Sequence, residues 1–323
     1  MPASTFTWAG SMPNTGALKT TKVSRKIFYA AIAETVAMQF AQAEPFGTGM
    51  GQSVTLPRVG ALAEATDYSL AETDRIPEAP HTITGKVIVV QEFGRAIPWT
   101  RFAEDLSVFD LRSTIQRRLR DDMKLQMDGR AFRAFKQALV KYVPTGLSSA
   151  TITTNGTPGT AALANLNVYH IAAIRDLLYG TYKAPKQDGN NYVGLCSFFA
   201  LRGVKNDPDW ELWHQYLSPE AKYNSEVGRI EQCRLIETNH GGTTVGQAGL
   251  NSAIGTGGVL GECVFFGDDA VATIESLEPT IVPGQPDDFG RIKSVAWYGQ
   301  FECSIIYDTA NAGEVRIIHV TST

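Results

Sequence analysis

The glycine-rich stretch from Gly241 to Gly261 is the part of the sequence that comes nearest to a nucleotide-binding motif. In such motifs glycines let the backbone approach a pyrophosphate at the start of a helix. Here the glycines do not have the required three-glycine spacing, and the residues that follow them predict a strand instead of a helix: Gly255, Gly257, Gly258 and Gly261. We therefore interpret the stretch as a surface loop and keep a nucleotide-dependent soluble enzyme only as the last alternative.

Other patterns that could do chemistry are missing from the sequence or have a simpler explanation. It contains no Gly-Lys-Ser/Thr P-loop, no H-E-x-x-H and no G-x-S-x-G. Acidic pairs at Asp268/Asp269 and Asp287/Asp288 adjoin glycine or proline, which predicts turns and helix caps. His170 lies on the apolar side of a predicted helix, so we interpret it as a core residue. The histidines are scattered without ligand spacing, at His81, His170, His214, His240 and His319.

The cysteines and the composition predict neither a metal site nor a charged ligand. The four cysteines are widely spaced, without a C-x-x-C pair, and are predicted to be reduced and buried: Cys196, Cys233, Cys263 and Cys303. The net charge of −4 gives no overall footprint for nucleic acid or an anionic membrane. No stretch is long and apolar enough to predict a membrane span or a signal peptide. We therefore predict no catalytic residue, no cofactor, no metal and no membrane partner.

Two groups of opposite charge are the candidate interface residues. Residues 101–141 hold ten Lys or Arg against six Asp or Glu. The basic candidates are Arg112, Arg117, Arg118 and Lys124. The acidic candidates lie in an irregular, proline-containing segment and are Glu64, Asp67, Glu72, Asp74 and Glu78. We predict that the two groups meet between copies of the chain. The alternative is that each group is simply a solvated charged face, because exposed ion pairs contribute little to stability.

The element that must position the basic group is a long helix predicted from Trp99 to Tyr142. Thr100 is a plausible N-cap and Pro144 ends the run. At 1.5 Å per residue it would be about 60 Å long, more than a compact domain needs. Its charges exclude a membrane span, so we interpret it as a strut under a sheet. Small and apolar residues recur at helical spacing at Val108, Leu111, Ile115, Leu119, Met123, Met127, Ala131, Ala134 and Ala138.

The acidic group lies between two predicted strands, Val54 to Val59 and Thr82 to Ile97. Their simplest pairing is a two-stranded ribbon with an acidic tip. Such a ribbon is marginally stable alone in water, because it buries too little apolar surface. We therefore expect it to lie on another surface, either of its own domain or of a second copy.

The remaining segments predict a chain that alternates helices and strands in the α+β manner. Residues 1–21 predict an extended arm, and Phe28 to Phe40 an amphipathic helix. After a linker at Thr145 to Thr160, a second module is predicted between the long helix and the last strands. Its predicted elements are a helix from Leu166 to Leu177, a strand from Tyr192 to Leu201, a short helix from Asp207 to Tyr216 and a strand from Cys233 to Glu237. The last strands, predicted to lie on the long helix, are Thr280 to Val282, Ile292 to Ile306 and Val315 to Val320.

This order of segments resembles the major capsid proteins of tailed bacteriophages, in particular a subfamily from virion-polymerase podophages. The matching motifs include Asp207-Pro208-Asp209-Trp210, Val227-Gly228-Arg229-Ile230, Arg234 to Asn239, Asp287-Asp288-Phe289-Gly290 and Val295-Ala296-Trp297. Glu231-Gln232-Cys233 departs from the pattern, since smaller, glycine-like residues are expected there. The resemblance implies an N-terminal arm (1–48), an extended β-ribbon loop (49–98), a spine helix and linker (99–159), an inserted axial domain (160–275) and peripheral-domain strands (276–323).

The resemblance implies a structural function without catalysis. Many copies would assemble as hexamers and pentamers of an icosahedral shell that encloses double-stranded DNA without sequence-specific binding. Scaffolding, portal and decoration proteins are possible partners, the location is the virion capsid, and synthesis is in the host cytoplasm. An encapsulin-like compartment, whose shell has the same fold, is the alternative. Some relatives crosslink a ribbon lysine to a neighbouring subunit, and Lys86 is the one lysine between Lys26 and Lys124.

Overall fold

The structure is a computed structural model. It describes residues 29, 31–47, 49–60, 62, 69–70, 72–73, 75–76, 78, 83–108, 110–187, 189–208, 226–241, 249–250 and 261–322. Within them lie short helices, one long helix and strands of up to 14 residues, which confirms the predicted α+β class.

The strands of the described residues are, in chain order, β1 (Gln42–Glu44), β2 (Ser53–Val59), β3 (Ile83–Val89), β4 (Gln91–Thr100), β5 (Val140–Pro144), β6 (Ala150–Thr153), β7 (Tyr192–Ser197), β8 (Glu226–Ile230), β9 (Cys233–Thr238), β10 (Gly261–Phe266), β11 (Val271–Pro283), β12 (Ile292–Ile305) and β13 (Ile317–Ser322). The helices are α1 (Arg101–Leu106), α2 (Leu111–Lys136), α3 (Val168–Asp176) and α4 (Ala200–Lys205). A π-helical turn, Leu177–Thr181, extends α3, and 3-10 turns lie at Ala37–Phe40 and Asp288–Gly290.

A four-stranded sheet has the order β1-β11-β12-β4. Along β12 buried and half-buried residues alternate, because successive side chains of a strand point to opposite faces. Trp297 and Phe301 on the buried face pack with Ile115 and Leu119 of α2. The indole Nε1 of Trp297 donates to Asp122 Oδ2 at 2.8 Å, which satisfies its polar atom.

A seven-stranded sheet has the order β6-β5-β13-β10-β7-β9-β8. One core beside it contains Ile171 and Ile174 of α3 together with Leu201 of α4. A second core contains Phe132 and Phe135 of α2. The long helix thus packs its N-terminal half on one sheet and its C-terminal half on the other, which makes it the strut shared by both cores.

The predicted helix from Trp99 to Tyr142 is wrong in its length. The helix breaks after Leu106, and Asp110 restarts it by accepting hydrogen bonds from the backbone N–H groups of Arg112 and Ser113. The resulting α2 is about 39 Å long, at 1.5 Å for each of its 26 residues. Its stripe of small and apolar residues packs as expected from Leu111 onward, but Val108 is 67% exposed. Thr100 caps α1 as predicted.

The end of the predicted helix is a strand. The residues from Val140 to Pro144 are all buried and form β5 in the seven-stranded sheet. A short run of apolar residues fits a fully buried strand as well as a helix, and here the β-branched and aromatic types decide for the strand. The segment from Thr145 to Thr160 also contains β6, which pairs with β5, so it is not a plain linker.

Two strand predictions need correction. The run from Thr82 to Ile97 divides at Val90 into β3, which pairs with β2, and β4, which pairs with β12. The last strand, β13, lies between β5 and β10 in the seven-stranded sheet and not on the four-stranded one. All six of its residues are buried, as expected for a central strand that is covered on both faces.

Other elements differ at their ends. The apolar run that was predicted to end in a strand at Leu201 is strand only to Ser197, and α4 follows from Ala200. Where Phe28 to Phe40 predicted a helix, the described residues contain only the 3-10 turn Ala37–Phe40. The short helix predicted from Asp207 lies almost wholly outside the described residues.

The departure at Glu231-Gln232 lies in the turn between β8 and β9. Glu231 has a φ of 46° and Gln232 a φ of 65°. A two-residue hairpin turn of this kind needs positive φ at both central positions, which glycine and asparagine adopt most readily. At both positions the backbone thus has a conformation that glycine-like residues adopt more readily than the Glu231 and Gln232 of this chain.

Candidate subunit interface

The ribbon of β2 and β3 has an inward face that packs on its own chain. In the antiparallel register Val54 lies opposite Ile88, and Leu56 opposite Lys86. Leu56 and Ile88 are buried with Ala272 and Ile274 of β11. The ribbon therefore rests on the four-stranded sheet, and its own domain supplies part of the surface that it needs.

The outward face of the ribbon exposes four apolar side chains among smaller and polar ones. It consists of the alternate residues of the same two strands, so their side chains point away from the sheet. Val59 lies opposite Ile83, and Val87 lies two residues from Val89. These four side chains are between 44% and 64% exposed. A row of exposed β-branched residues on a two-stranded ribbon is a surface that another protein can cover.

Charged contacts hold the ribbon to the end of β12. Arg58 Nη1 from β2 lies 2.5 Å from Asp308 Oδ1 and also donates to the carbonyl of Ile306 at 3.3 Å. Lys86 Nζ from β3 lies 2.9 Å from Asp308 Oδ2. One carboxylate thus binds both strands. The signal in the sequence was weak, because Asp308 is more than 200 positions from either cation.

The acidic tip is described only in part. Glu72 and Glu78 are exposed, and Glu78 forms a local ion pair with Arg75 at 2.6 Å. Glu64, Asp67 and Asp74 lie outside the described residues. The described tip also exposes apolar side chains, at Leu62, Leu70 and Ile76.

The basic candidates lie on α2 as predicted. Arg112, Arg117 and Lys124 are exposed, and Arg118 is half-buried. Arg117 stacks on the ring of Tyr29 at 4.0 Å, and Arg118 lies 5.5 Å from the same ring. Neither of the two described tip acids forms an ion pair with these cations within the chain.

Two buried polar clusters on α2 were missed by the sequence analysis. Asp128 is fully buried, accepts from the backbone N–H of Met38 at 3.2 Å and contacts Nδ1 of His240. The sequence does contain a signal for this first cluster. Asp128 lies three positions before Ala131 and four before Phe132, a spacing that places it on the buried face of the helix. At the helix end, Lys136 Nζ lies 2.5 Å from Glu262 Oε2, and His319 Nε2 lies 3.7 Å from Glu262 Oε1.

His170 holds a structural position in the core. His170 is buried between Tyr142, whose hydroxyl lies 2.9 Å from Nδ1, and the carbonyl of Gly146, 2.9 Å from Nε2. Burial lowers the pKa of His170, although the contact with Gly146 opposes this. The imidazole is therefore neutral at pH 7, with Nε2–H donating to Gly146 and Nδ1 accepting from Tyr142. The interpretation of His170 as a satisfied core residue is confirmed.

The cysteines and acidic pairs also match their predicted roles. All four cysteines are buried free thiols, and burial raises the pKa of Cys233 to about 12. Asp268 and Asp269 form the turn between β10 and β11, and Asp287 caps the 3-10 turn that follows it. Gly261 begins a strand, as predicted, and residues 242–248 and 251–260 lie outside the described part. Among the described residues no group of three or more His, Cys, Asp or Glu could hold a metal ion, and no helix is both long and apolar enough to span a membrane.

Comparisons with known proteins identify solved structures that share this architecture. No family model and no curated protein matches the sequence. Among solved structures, the capsid of cyanophage P-SCSP1u matches with a TM-score of 0.66 and 11% identity, over 95% of this chain and 94% of the other. The capsid of Ralstonia phage GP4 matches with a TM-score of 0.65 and 14% identity, over 97% and 99%. The capsid of cyanophage Pam1 gives 0.66 and 12%, over 97% and 98%.

These structures share almost their whole length with this chain, while their sequences have diverged to between 11% and 14% identity. A likeness of this kind describes a fold. The chain therefore has the fold of these phage capsid proteins.

Proposed function

We propose that the chain is the structural major capsid protein of a tailed bacteriophage and assembles with copies of itself into an icosahedral head. The fold, which extends over nearly the full length of phage capsid chains, supports this proposal. The observation that carries it within this molecule is the ribbon, whose outward face leaves Val59, Ile83, Val87 and Val89 exposed.

The physical reason is the cost of leaving that face in water. Burying an apolar side chain of this size contributes about 1.5–3 kcal/mol relative to full exposure. A monomer gains no free energy from the outward face, whereas a second copy that covers the face removes all four apolar side chains from water. The ribbon is therefore built for a neighbour as well as for its own sheet.

The finer parts of the proposal follow from the family resemblance. Copies would form hexamers and pentamers, enclose double-stranded DNA without sequence-specific contacts, and work with scaffolding, portal and decoration proteins. The protein would be made in the host cytoplasm and act without catalysis. We keep the division into an arm, ribbon loop, spine helix, axial domain and peripheral strands as part of this proposal, except that β5, β6 and β13 belong to the same sheet as the strands of the axial domain. The contact between Lys86 and Asp308 argues against a crosslink through Lys86, because it occupies the side-chain amine that would have to react.

Electron microscopy of the purified full chain, with light scattering over a range of concentrations, tests the proposal. We expect closed shells or capsomers, and a monomer at every concentration would contradict it. Val87→Asp should reduce assembly at least tenfold without unfolding the subunit, because the charge would lie on the outward face. Lys183→Asp, on a loop beside the π-helical turn, is the control. Shells that package a cargo protein and not DNA in the native host would favour the encapsulin-like alternative.

A further inference from the structure

Three exposed cations form a stripe along the side of α2 that is turned away from the four-stranded sheet. Arg117, Arg120 and Lys124 follow one another at three and four positions, a spacing that places them on one side of a helix. Ile115 and Leu119, which pack on the sheet, lie on the other side. We call these three residues the basic stripe, and it points away from the core of its own chain.

The basic stripe keeps a net positive charge. Residues 117–124 hold four Lys or Arg against two Asp. Of the two acids, Asp122 accepts from the indole of Trp297 on the sheet side, and Asp121 is half-buried. Arg120 and Lys124 form no ion pair within the part of the chain that the structure describes. They are also like charges four positions apart, which destabilises a helix unless an anion lies beside them.

The N-terminal sequence brings more positive charge to the same place. Residues 1–33 contain four Lys or Arg and no Asp or Glu. Tyr29 lies on the guanidinium of Arg117, with 4.0 Å between the ring centroid and Cζ. Three residues of extended chain span at most about 11 Å, so the cationic sequence joins the chain beside the basic stripe. Its four cations are Lys19, Lys22, Arg25 and Lys26.

Two cationic groups that converge call for a polyanion, because like charges repel unless negative charge lies beside both. The positive charge is local, since the whole chain has a net charge of −4. Duplex DNA carries one negative charge per about 1.7 Å of its axis, so a row of cations meets phosphates in any register. The acidic tip of a second copy offers separate carboxylates instead, of which Glu78 already pairs with Arg75.

We propose that the basic stripe and the cations of residues 19–26 bind the phosphate backbone of double-stranded DNA. This side of α2 is then the surface through which the subunit contacts the enclosed genome. Contacts to phosphates carry no sequence information, so the binding has no sequence preference. The inference rests on the proposed function, because it names the surface that meets the DNA of that function.

The salt dependence of DNA binding tests the proposal. Fluorescence anisotropy of a labelled duplex of random sequence is measured with the unmodified full chain between about 50 and 200 mM salt. The basic stripe and residues 19–26 hold seven cations, three and four respectively. Each phosphate contact contributes about −0.9 to the slope of log K against log salt, so the expected slope is about −6 when every cation is used. A slope near zero overturns the proposal.

Substitutions locate the contact. Arg120→Gln with Lys124→Gln should weaken duplex binding at least tenfold at about 50 mM salt and reduce the slope by about 2, because two phosphate contacts are lost. Lys22→Gln with Arg25→Gln should reduce the slope by a similar amount. Slopes that do not change in either variant overturn the proposal.

The matched control removes the same charge elsewhere. Arg133 is exposed nine positions after Lys124, two and a half turns along α2 and so on its opposite side. Arg133→Gln with Lys183→Gln should leave the slope unchanged. A loss equal to that of Arg120→Gln with Lys124→Gln would mean that only the total charge matters, and it would overturn the proposal.

Shell formation, followed by electron microscopy without DNA, separates this inference from the function on which it rests. If the unmodified chain forms no shells, the proposed function fails. If it forms shells but Arg120→Gln with Lys124→Gln binds the duplex as the unmodified chain does, this inference alone fails. Fewer shells in that variant, with unchanged duplex binding, would assign the basic stripe to the acidic tip of a second copy.

Discussion

Arg58 and Asp308 are 250 positions apart in the sequence, and their 2.5 Å ion pair ties the ribbon to the end of β12. Arg58 is only 9% exposed, so its charge needs a partner. Burial opposes the ionisation of Asp308, but hydrogen bonds from Lys86 and Arg58 outweigh it and lower its pKa. The carboxylate therefore remains charged, and the orientation of the ribbon depends on it.

We predict that Asp308→Ala loosens the ribbon and lowers the free energy of unfolding by about 1–3 kcal/mol, since it leaves a buried cation unpaired in a partly solvated site. Limited trypsin digestion should cleave after Arg58 and Lys86 faster than in the unmodified chain. Asp105→Ala is the control, because its 3.7 Å pair with Arg101 is exposed and should change stability by less than about 0.5 kcal/mol. Equal cleavage rates in both variants would contradict the role of Asp308.

The buried contact between Lys136 and Glu262 predicts a specific loss of stability in acid. Burial by itself raises the pKa of Glu262, but His319 and Lys136 outweigh it and lower the pKa to about 2, from an ordinary 4.5. The group therefore stabilises the fold fully above pH 4.5 and loses this contribution as the pH falls from 4.5 towards 2. The loss amounts to about 3 kcal/mol. In Glu262→Gln, the free energy of unfolding measured with urea should therefore change less with pH over that range.

Glu275→Gln is a control with the opposite sign. Burial, with a contribution from Glu278, raises the pKa of Glu275, so its charged form is disfavoured in the fold. The substitution should therefore leave stability at pH 7 unchanged or slightly increased, whereas Glu262→Gln lowers it. If both variants respond alike to pH, the ion pair at the end of α2 does not set the acid stability.

The sequence predicts those parts of the fold that depend on local periodicity. The ribbon, the long strand β12 and the apolar face of α2 follow from patterns of period 2 and 3.6. The division of strands between the two sheets does not. Val90, where β3 ends and β4 begins, has no breaker residue beside it, and its N–H bonds to the carbonyl of Gln52 at 3.0 Å. Only the tertiary structure decides which partner each half pairs with.

The candidate interface was predictable to a similar extent. The basic residues of α2 could be placed on the helix from their spacing, but the stacking of Arg117 on Tyr29 depends on where the N-terminal segment lies. The outward face of the ribbon was not apparent, because register decides which side chains point away from the sheet.

Charge reversal at Arg117 and Arg118 tests whether the basic face meets an acidic tip between copies. We predict that Arg117→Glu with Arg118→Glu reduces assembly at least tenfold, while the isolated subunit loses only about 1 kcal/mol from the broken contacts with Tyr29. Light scattering measures assembly, and urea unfolding measures stability. Arg133→Glu, exposed on the last turns of the same helix, is the control. An equal assembly yield in the double variant would leave two solvated faces as the explanation.

The hydroxyl of Tyr142 supplies the hydrogen bond that buried His170 needs at Nδ1. Tyr142→Phe removes the donor, keeps the ring, and leaves Nδ1 buried without a partner. We therefore expect the free energy of unfolding to fall by about 1–3 kcal/mol, the usual cost of an unsatisfied buried polar atom. Tyr179→Phe, at an exposed ring, should stay within about 0.5 kcal/mol. A loss in Tyr142→Phe no larger than in Tyr179→Phe would mean that another group, such as a water molecule, satisfies the imidazole.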